Sequence, residues 1–300
     1  MALSVASANY PVTYHASFEA WRTHTAGWVA QAVDRGGRLL LFPEYGAMEL
    51  TSLLPEALQQ DLRGQLPELG RFYPDFCTVF AELARQHEVC ILAPSFPVVQ
   101  PSGEIFNRAS VFTAQGLAGW QDKLMMTRFE AEQWGVHAAP PVFSLFEADW
   151  GAFGLQICYD VEFPLGSAVL CAAGAQVVLA PSCTETLRGS TRVHVGARAR
   201  ALENQCYTVV SPLVGEAPWS PAVDVNYGFA AVYSSPDLGL PEEGVVAARP
   251  AQQPGWLLAD LDLDRLDTVR REGQVLNFRD NRTLTYGLAG KAPAVRRIRV

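Results

Sequence analysis

The sequence predicts an α/β domain built in layers, and three observations carry that reading. Strand-like and helix-like segments take turns along most of the 300 residues. Several of the strand segments are almost wholly apolar, the pattern of strands covered by helices. The composition supports the core that such layers need: 49% of residues are hydrophobic and 18% charged. A chain of this size buries about three quarters of its unfolded surface. No repeat and no long Ser/Gly/Pro tract divides it, so residues 1–300 read as a single domain.

The elements follow in order. Residues 4–8 read as a short strand. Residues 18–33 place apolar side chains at helical spacing (Phe18, Trp21, Ala26, Val29, Ala30, Val33), and Gly36-Gly37 stops that helix. Residues 38–42 read as a buried strand made almost wholly of Leu and Phe. Helices are expected over 54–69 and 75–87, and strands over 89–93, 110–113 and 141–146. Residues 152–157 then read as a strand, 164–173 as a helix ended by Gly174, and 175–180 as a strand. A helix over 190–205 and a strand over 207–211 come next. From Asn226 onward the pattern is β-like, at 228–233, 244–248 and 255–261, before a last helix over 263–271.

Composition excludes several function classes. There are 23 Lys and Arg against 31 Asp and Glu, a net charge of -8. An acidic chain without a basic stripe is unsuited to neutralising phosphates, so no nucleic-acid partner is expected. The N-terminal stretch carries no Lys or Arg before Arg22, unlike a secretory signal. Residues 168–181, the longest apolar run, contain Gly174 and Gln176 and are too short to cross a bilayer. A soluble, cytoplasmic protein without a membrane partner is expected. The six cysteines (Cys77, Cys90, Cys158, Cys171, Cys183, Cys206) show no paired spacing, so neither a zinc site nor a disulfide framework is expected of them.

In layered α/β folds the reactive groups stand just beyond the carboxyl ends of strands. Three residues meet that criterion. Strand 38–42 runs into Pro43-Glu44-Tyr45-Gly46, where a carboxyl at the mouth of an apolar layer has a raised pKa and suits a general base. An ordinary Glu in a solvated turn fits the same residues. Strand 152–157 delivers Cys158, followed by Tyr159-Asp160, as a nucleophile elbow would. A buried, inert thiol is the alternative. Lys123 stands beside Met125 and Met126 and suits an oxyanion partner, or else snorkels at a sheet edge. Tyr45, Trp134, Tyr159 and Trp219 are candidates to line a pocket, which favours an apolar or neutral substrate. Each also fits a core position.

Together, FPEY with Glu44, DKLMMTRFE with Lys123 and GLQICYDVEFP with Cys158 resemble the Glu–Lys–Cys signature of the nitrilase superfamily of carbon–nitrogen hydrolases. APSCTET, ARARALENQCYTVV, LDLDRL and FRDNR are similar as well, so the resemblance covers residues 4–285. It implies a four-layer αββα sandwich of two facing six-stranded sheets, usually paired into a homodimer or larger homo-oligomer. It also implies a small-molecule amide substrate. Cys158 would attack the carbonyl carbon, Glu44 would shuttle the proton, and Lys123 with the Tyr159 N–H would hold the oxyanion. Glu130 corresponds best to a second family Glu that precedes a Trp-Gly by four residues, with Glu132 the weaker candidate. Tyr45, Tyr159 and Cys183 are implied as substrate-binding. No metal and no organic cofactor are needed.

Tyr159-Asp160 after the nucleophile resembles the amidase, carbamoylase and ω-amidase branches, whereas true nitrilases carry Trp-Glu there. Glu162 and Leu165 depart from the ω-amidase pattern and count against an acidic substrate tail. Nitrile hydrolysis and soluble N-acyl transfer through the same thioester are alternatives. A Cys–His hydrolase using His137, or an inactive scaffold subunit, are the competing classes.

Overall fold

The computed structural model describes residues 2–287. The chain opens with β1 (Ala2–Pro11), α1 (Phe18–Asp34), β2 (Leu39–Leu41), α2 (Glu56–Gln59), α3 (Gln65–Leu69), α4 (Tyr73–His87) and β3 (Cys90–Leu92). Three antiparallel strands follow, β4 (Phe96–Val99), β5 (Ile105–Thr113) and β6 (Gly116–Asp122). The second half contains β7 (Leu145–Ala148), β8 (Gly151–Leu155), α5 (Pro164–Ala172), β9 (Val177–Ser182), α6 (Leu187–Asn204) and β10 (Tyr207–Glu216). It closes with β11 (Val225–Asn226), β12 (Ala231–Tyr233), β13 (Val245–Ala248), β14 (Gly255–Asp262), α7 (Leu263–Glu272) and α8 (Asn277–Gly287).

These strands make two sheets. One runs β6-β5-β3-β2-β1-β14, with β4 also paired to β5. The other runs β7-β8-β9-β10-β12-β13. A short parallel seam, Tyr10 to Leu213 and Pro11 to Val214, joins them.

The period of two in each strand decides what lies between the sheets. Leu3, Val5, Leu39, Leu41 and Val111 of the first sheet share one buried cluster with Phe153, Leu155, Val177, Leu179 and Val209 of the second. The alternate residues Ala6, Ala8, Leu40, Ile91 and Phe112 face the other way, against Trp21, Trp28 and Val29 of α1 and Phe76 and Phe80 of α4. On the far side, α5 packs Leu170 and Cys171 on Val178, and Ala197 of α6 accepts a hydrogen bond from Thr208 at 2.9 Å. The expected αββα sandwich is what these layers form. α1 begins where predicted because the Ser17 hydroxyl accepts from the Ala20 N–H at 3.1 Å, a side-chain N-cap.

The elements differ from expectation in four places. Residues 54–69 are not one helix but the end of a 3-10 helix (Gly46–Leu53) followed by α2 and α3. Pro55 caps the first break, and at the second the Asp61 carboxylate accepts from the N–H of Arg63 and Gly64, competing with helical bonds. The strand expected over 141–146 begins only at Leu145, after Pro140-Pro141, which have no N–H for a ladder. β1 is twice as long as predicted, because Ser7 and Asn9, which interrupt its apolar pattern, donate to carbonyls of Val210, Pro250 and Gln253. β4 and α8, which holds FRDNR, lack a strong periodic signal and were not anticipated. No described helix is long and apolar enough to cross a membrane.

Candidate active site

Glu44, Lys123, Glu130 and Cys158 are far apart in sequence and meet at one end of the facing sheets. β2 supplies Glu44: the Phe42 N–H makes a last ladder bond to Leu92, and Pro43 has none to give. Tyr45 then adopts left-handed φ (53°), secured by its N–H donating to Ser95 Oγ at 2.8 Å. That turn sends the Glu44 carboxylate inward, where it is 1% exposed. Its Oε1 accepts from Lys123 Nζ at 2.7 Å and Asn107 Nδ2 at 2.9 Å, while Oε2 accepts from the Cys183 N–H at 2.9 Å.

Lys123 follows β6 directly, and its N–H donates to the Asn107 carbonyl at 2.9 Å. Its buried ammonium also donates to both oxygens of Glu130, at 2.7 and 2.8 Å. Glu130 sits in a π-helical turn (Phe129–Trp134) and accepts further from Tyr45 OH and from the N–H and hydroxyl of Thr127. Single π-helical turns recur at functional sites because the extra residue re-aims a side chain. Glu132 points to solvent and pairs with Arg128 at 2.9 Å. The second glutamate of the cluster is therefore Glu130.

Cys158 follows β8 at a sharp turn with left-handed φ (48°). A non-glycine residue in that region is strained, and surrounding bonds must hold it there. Asp160 does so. Its carboxylate accepts from the N–H of Ile157, Leu124 and Met125 at 3.2, 3.2 and 2.7 Å, tying the cysteine turn to the lysine loop. The Cys158 thiol points at the Cys183 carbonyl, 3.7 Å away.

Electrostatics separates the two glutamates. Burial pushes Glu44 up to about 7, with Lys123 opposing and Glu130 assisting the rise. Burial alone would raise Glu130 too, but the Lys123 ammonium and the hydrogen bonds from Thr127 and Tyr45 outweigh it and hold this carboxyl below its ordinary value. Burial works against the Lys123 charge, and the two carboxylates overcome it, so the ammonium stays protonated. Burial, reinforced by the negative charge of Glu44, raises the Cys158 thiol well above its usual range. Burial likewise takes Asp160 up to about 6 against Lys123 and its three backbone donors. The resting cluster thus holds a thiol next to a carboxyl that titrates near neutrality, with a fixed Lys–Glu pair behind it.

A cavity of about 650 Å³ opens over Cys158, lined by Tyr159 and Cys183 and bordered by Arg128, Glu162 and Arg192. Glu162 and Arg192 pair across it at 3.4 Å. Of the residues proposed to contact substrate, Tyr159 and Cys183 line this cavity, and Cys183 also donates its N–H to Glu44. Tyr45 does not line it: the left-handed turn places its ring on Trp134, 4.6 Å between centroids, and its hydroxyl on Glu130. Trp219 packs edge-on against Tyr14. His137 is exposed, its Nδ1 accepting from the Ile105 N–H, and no described residue of the cavity wall is a histidine. Asn107 and Asp160 are polar residues that sequence reasoning missed as site components. A lone Asn inside the apolar strand IFNRASVF was the available signal for the first.

Comparison with known proteins agrees with this architecture. A family model described as "Carbon-nitrogen hydrolase" matches residues 4–271. A probable hydrolase of Bacillus subtilis, YhcX, is 31% identical over 275 residues, 92% of this chain and 53% of that protein. The chain thus spans about half the length of that relative. The human omega-amidase NIT2 is 23% identical over 284 residues, covering 90% of this chain and 92% of the other. Among solved structures, a carbon-nitrogen hydrolase from Helicobacter pylori superposes with a TM-score of 0.77 at 19% identity, over 95% of this chain and 96% of that one. An amidase from Nesterenkonia sp. gives 0.67 at 20% identity, over 90% and 94%. The chain belongs to the carbon–nitrogen hydrolase family of the nitrilase superfamily.

Proposed function

We propose that this chain, as a single hydrolase domain, cleaves the C–N bond of a small polar amide or N-carbamoyl compound through a thioester on Cys158. The observation that carries the reading is the buried Glu44 carboxylate, bound to the Lys123 ammonium and to the N–H of Cys183, whose carbonyl the Cys158 thiol faces. As the Cys158 sulfur bonds to the carbonyl carbon, its proton moves to Glu44. The oxygen, now negative, is held by the Lys123 ammonium and the Tyr159 N–H. Breakage of the C–N bond takes the proton from Glu44 to the leaving nitrogen and leaves a thioester. Glu44 then accepts a proton from water, whose oxygen attacks the thioester carbon, and returns that proton to the departing sulfur. Glu130 keeps Lys123 charged and in place.

The cavity border supports a polar substrate over the apolar one suggested by the aromatic residues. Arg128, Glu162, Glu185, Arg192 and Asp224 all border it, whereas Tyr45 and Trp134 lie behind Glu130.

Incubation with a panel of amides, N-carbamoyl compounds and nitriles, followed by intact-mass spectrometry, tests the reading. The expected result is a mass gain equal to the acyl group, mapped to Cys158 and absent from Cys158→Ala. Turnover that persists in Cys158→Ala would sink the thioester route.

We also propose that the chain works as a homodimer. Leu187, Val195 and Leu202 are exposed along one stripe of α6, with exposed Leu165 on the neighbouring α5. Sedimentation velocity should show a dimer, converted to monomer by Val195→Glu. A monomeric parent chain at tens of micromolar would overturn this.

A further inference from the structure

A second group of ligating side chains gathers outside the cavity. His15 lies between β1 and α1, His24 on α1 and Glu49 on the 3-10 helix Gly46–Leu53. One ligating atom from each lies within 4.8 Å of the others. His15 Nε2 stands 3.4 Å from Glu49 Oε2, long for a hydrogen bond. It is close to the roughly 3.3 Å that separates two ligands of one tetrahedral ion with bonds of about 2.0–2.1 Å.

Two further observations point to a cation-binding site. His24 Nε2 is buried and has no hydrogen-bond partner, which is rare for a ring nitrogen in a folded core. Glu49 is fully buried, with one carboxylate oxygen facing the His15 ring. The surroundings already orient the ligands. Glu49 accepts from Tyr10 OH at 2.9 Å and from the Thr13 N–H at 2.7 Å, and the His15 N–H donates to Ser52 Oγ at 3.2 Å. Such outer contacts fix ligand geometry in metal sites.

We propose that His15, His24 and Glu49 bind a divalent transition-metal ion of the zinc type, as a structural site separate from the hydrolytic cluster. Two imidazoles and one carboxylate suit Zn²⁺ or Co²⁺ better than Mg²⁺ or Ca²⁺, which prefer all-oxygen shells. Glu49 lies on the helix that directly follows Glu44 and Tyr45, so the ion would tie α1 to the segment carrying Glu44. The cysteine spacing carries no information about such a site, because no thiol is in it.

The test uses full-length, tag-free, chelator-washed protein titrated with Zn²⁺ and with Co²⁺. One ion per chain is expected, with a Co²⁺ spectrum lacking thiolate charge-transfer bands and a higher Tm with Zn²⁺. His24→Gln should weaken binding at least about tenfold and abolish the Tm gain. Unchanged circular dichroism and hydrolytic activity would show that the variant is folded. Cys158→Ser should bind as the parent does, which excludes the reactive thiol as the ligand. Absence of saturable binding to the parent chain overturns the proposal, as does binding that survives His24→Gln or vanishes in Cys158→Ser. The parent stoichiometry and spectrum decide the matter even if the variant misfolds.

Discussion

Replacement of Glu44 by Gln is expected to lower kcat/KM by about 10²–10⁴, the range a positioned proton shuttle supplies. The amide keeps the shape of the carboxylate and can still accept from the Cys183 N–H or Asn107, so the fold should survive. What it loses is the proposed acceptor of the Cys158 proton, and that thiol is itself pushed well above its usual range by burial. The parent enzyme's kcat/KM should rise with pH through a midpoint near 7, because Glu44 must be deprotonated to act as base. Glu44→Gln should lose this acid limb. Stability carries the opposite sign: a carboxyl raised above its unfolded value contributes most below pH 4.5 and loses that contribution as pH rises through 7. Measured pH–rate profiles of the two proteins check the assignment, and an unaltered profile in the variant would exclude Glu44 as the base.

The second large effect falls on the fold as well as on turnover. Lys123→Met leaves Glu44 and Glu130 facing each other without the ammonium that both contact, at side-chain exposures of 1% and 4%. Removing one partner from a buried ion pair costs about 3–5 kcal/mol, since the remaining charge is neither solvated nor matched. The penalty should shrink in acid. In the parent, Lys123 holds Glu130 below its ordinary pKa, so that contribution is present above the unfolded value and lost as pH falls. In the variant, burial without the ammonium raises both carboxyls, so its stability falls as pH rises. Urea unfolding at pH 5 and pH 8 should therefore give a larger loss at pH 8. Equal losses at both would mean that Lys123 contributes packing rather than charge. Activity should drop by at least about 10²-fold, because the oxyanion loses its fixed charge.

Much of this site could be located in the sequence because chemistry at strand ends leaves a local mark. Apolar runs ending in Pro43-Glu44 and in Cys158 identify positions where a polar side chain emerges from a buried layer. The layered fold was legible for a similar reason: periods of two and 3.6 are fixed by backbone geometry and survive in any tertiary context. Where these signals weaken, the reading did too. Pro55 and the Asp61 turn divide a stretch whose apolar pattern alone looks helical. Ser7 and Asn9 are accommodated in β1 only because carbonyls more than 200 residues away accept their hydrogen bonds.

By itself, then, the sequence determined the α/β layering and the presence of Glu44, Lys123 and Cys158 at strand ends, since both depend on short-range patterns. Tertiary structure decided everything that depends on distance through space. Glu130 rather than Glu132 joins the cluster because a π-helical turn aims one inward and leaves the other to Arg128. Asn107, Asp160 and the Cys183 N–H enter because strands and loops remote in sequence converge on the same carboxylate and turn. The separation of two chemically identical glutamates, one raised toward neutrality and one held ionised, likewise comes from burial and the count of donors around each. Those are properties of an environment, and only the folded chain has one.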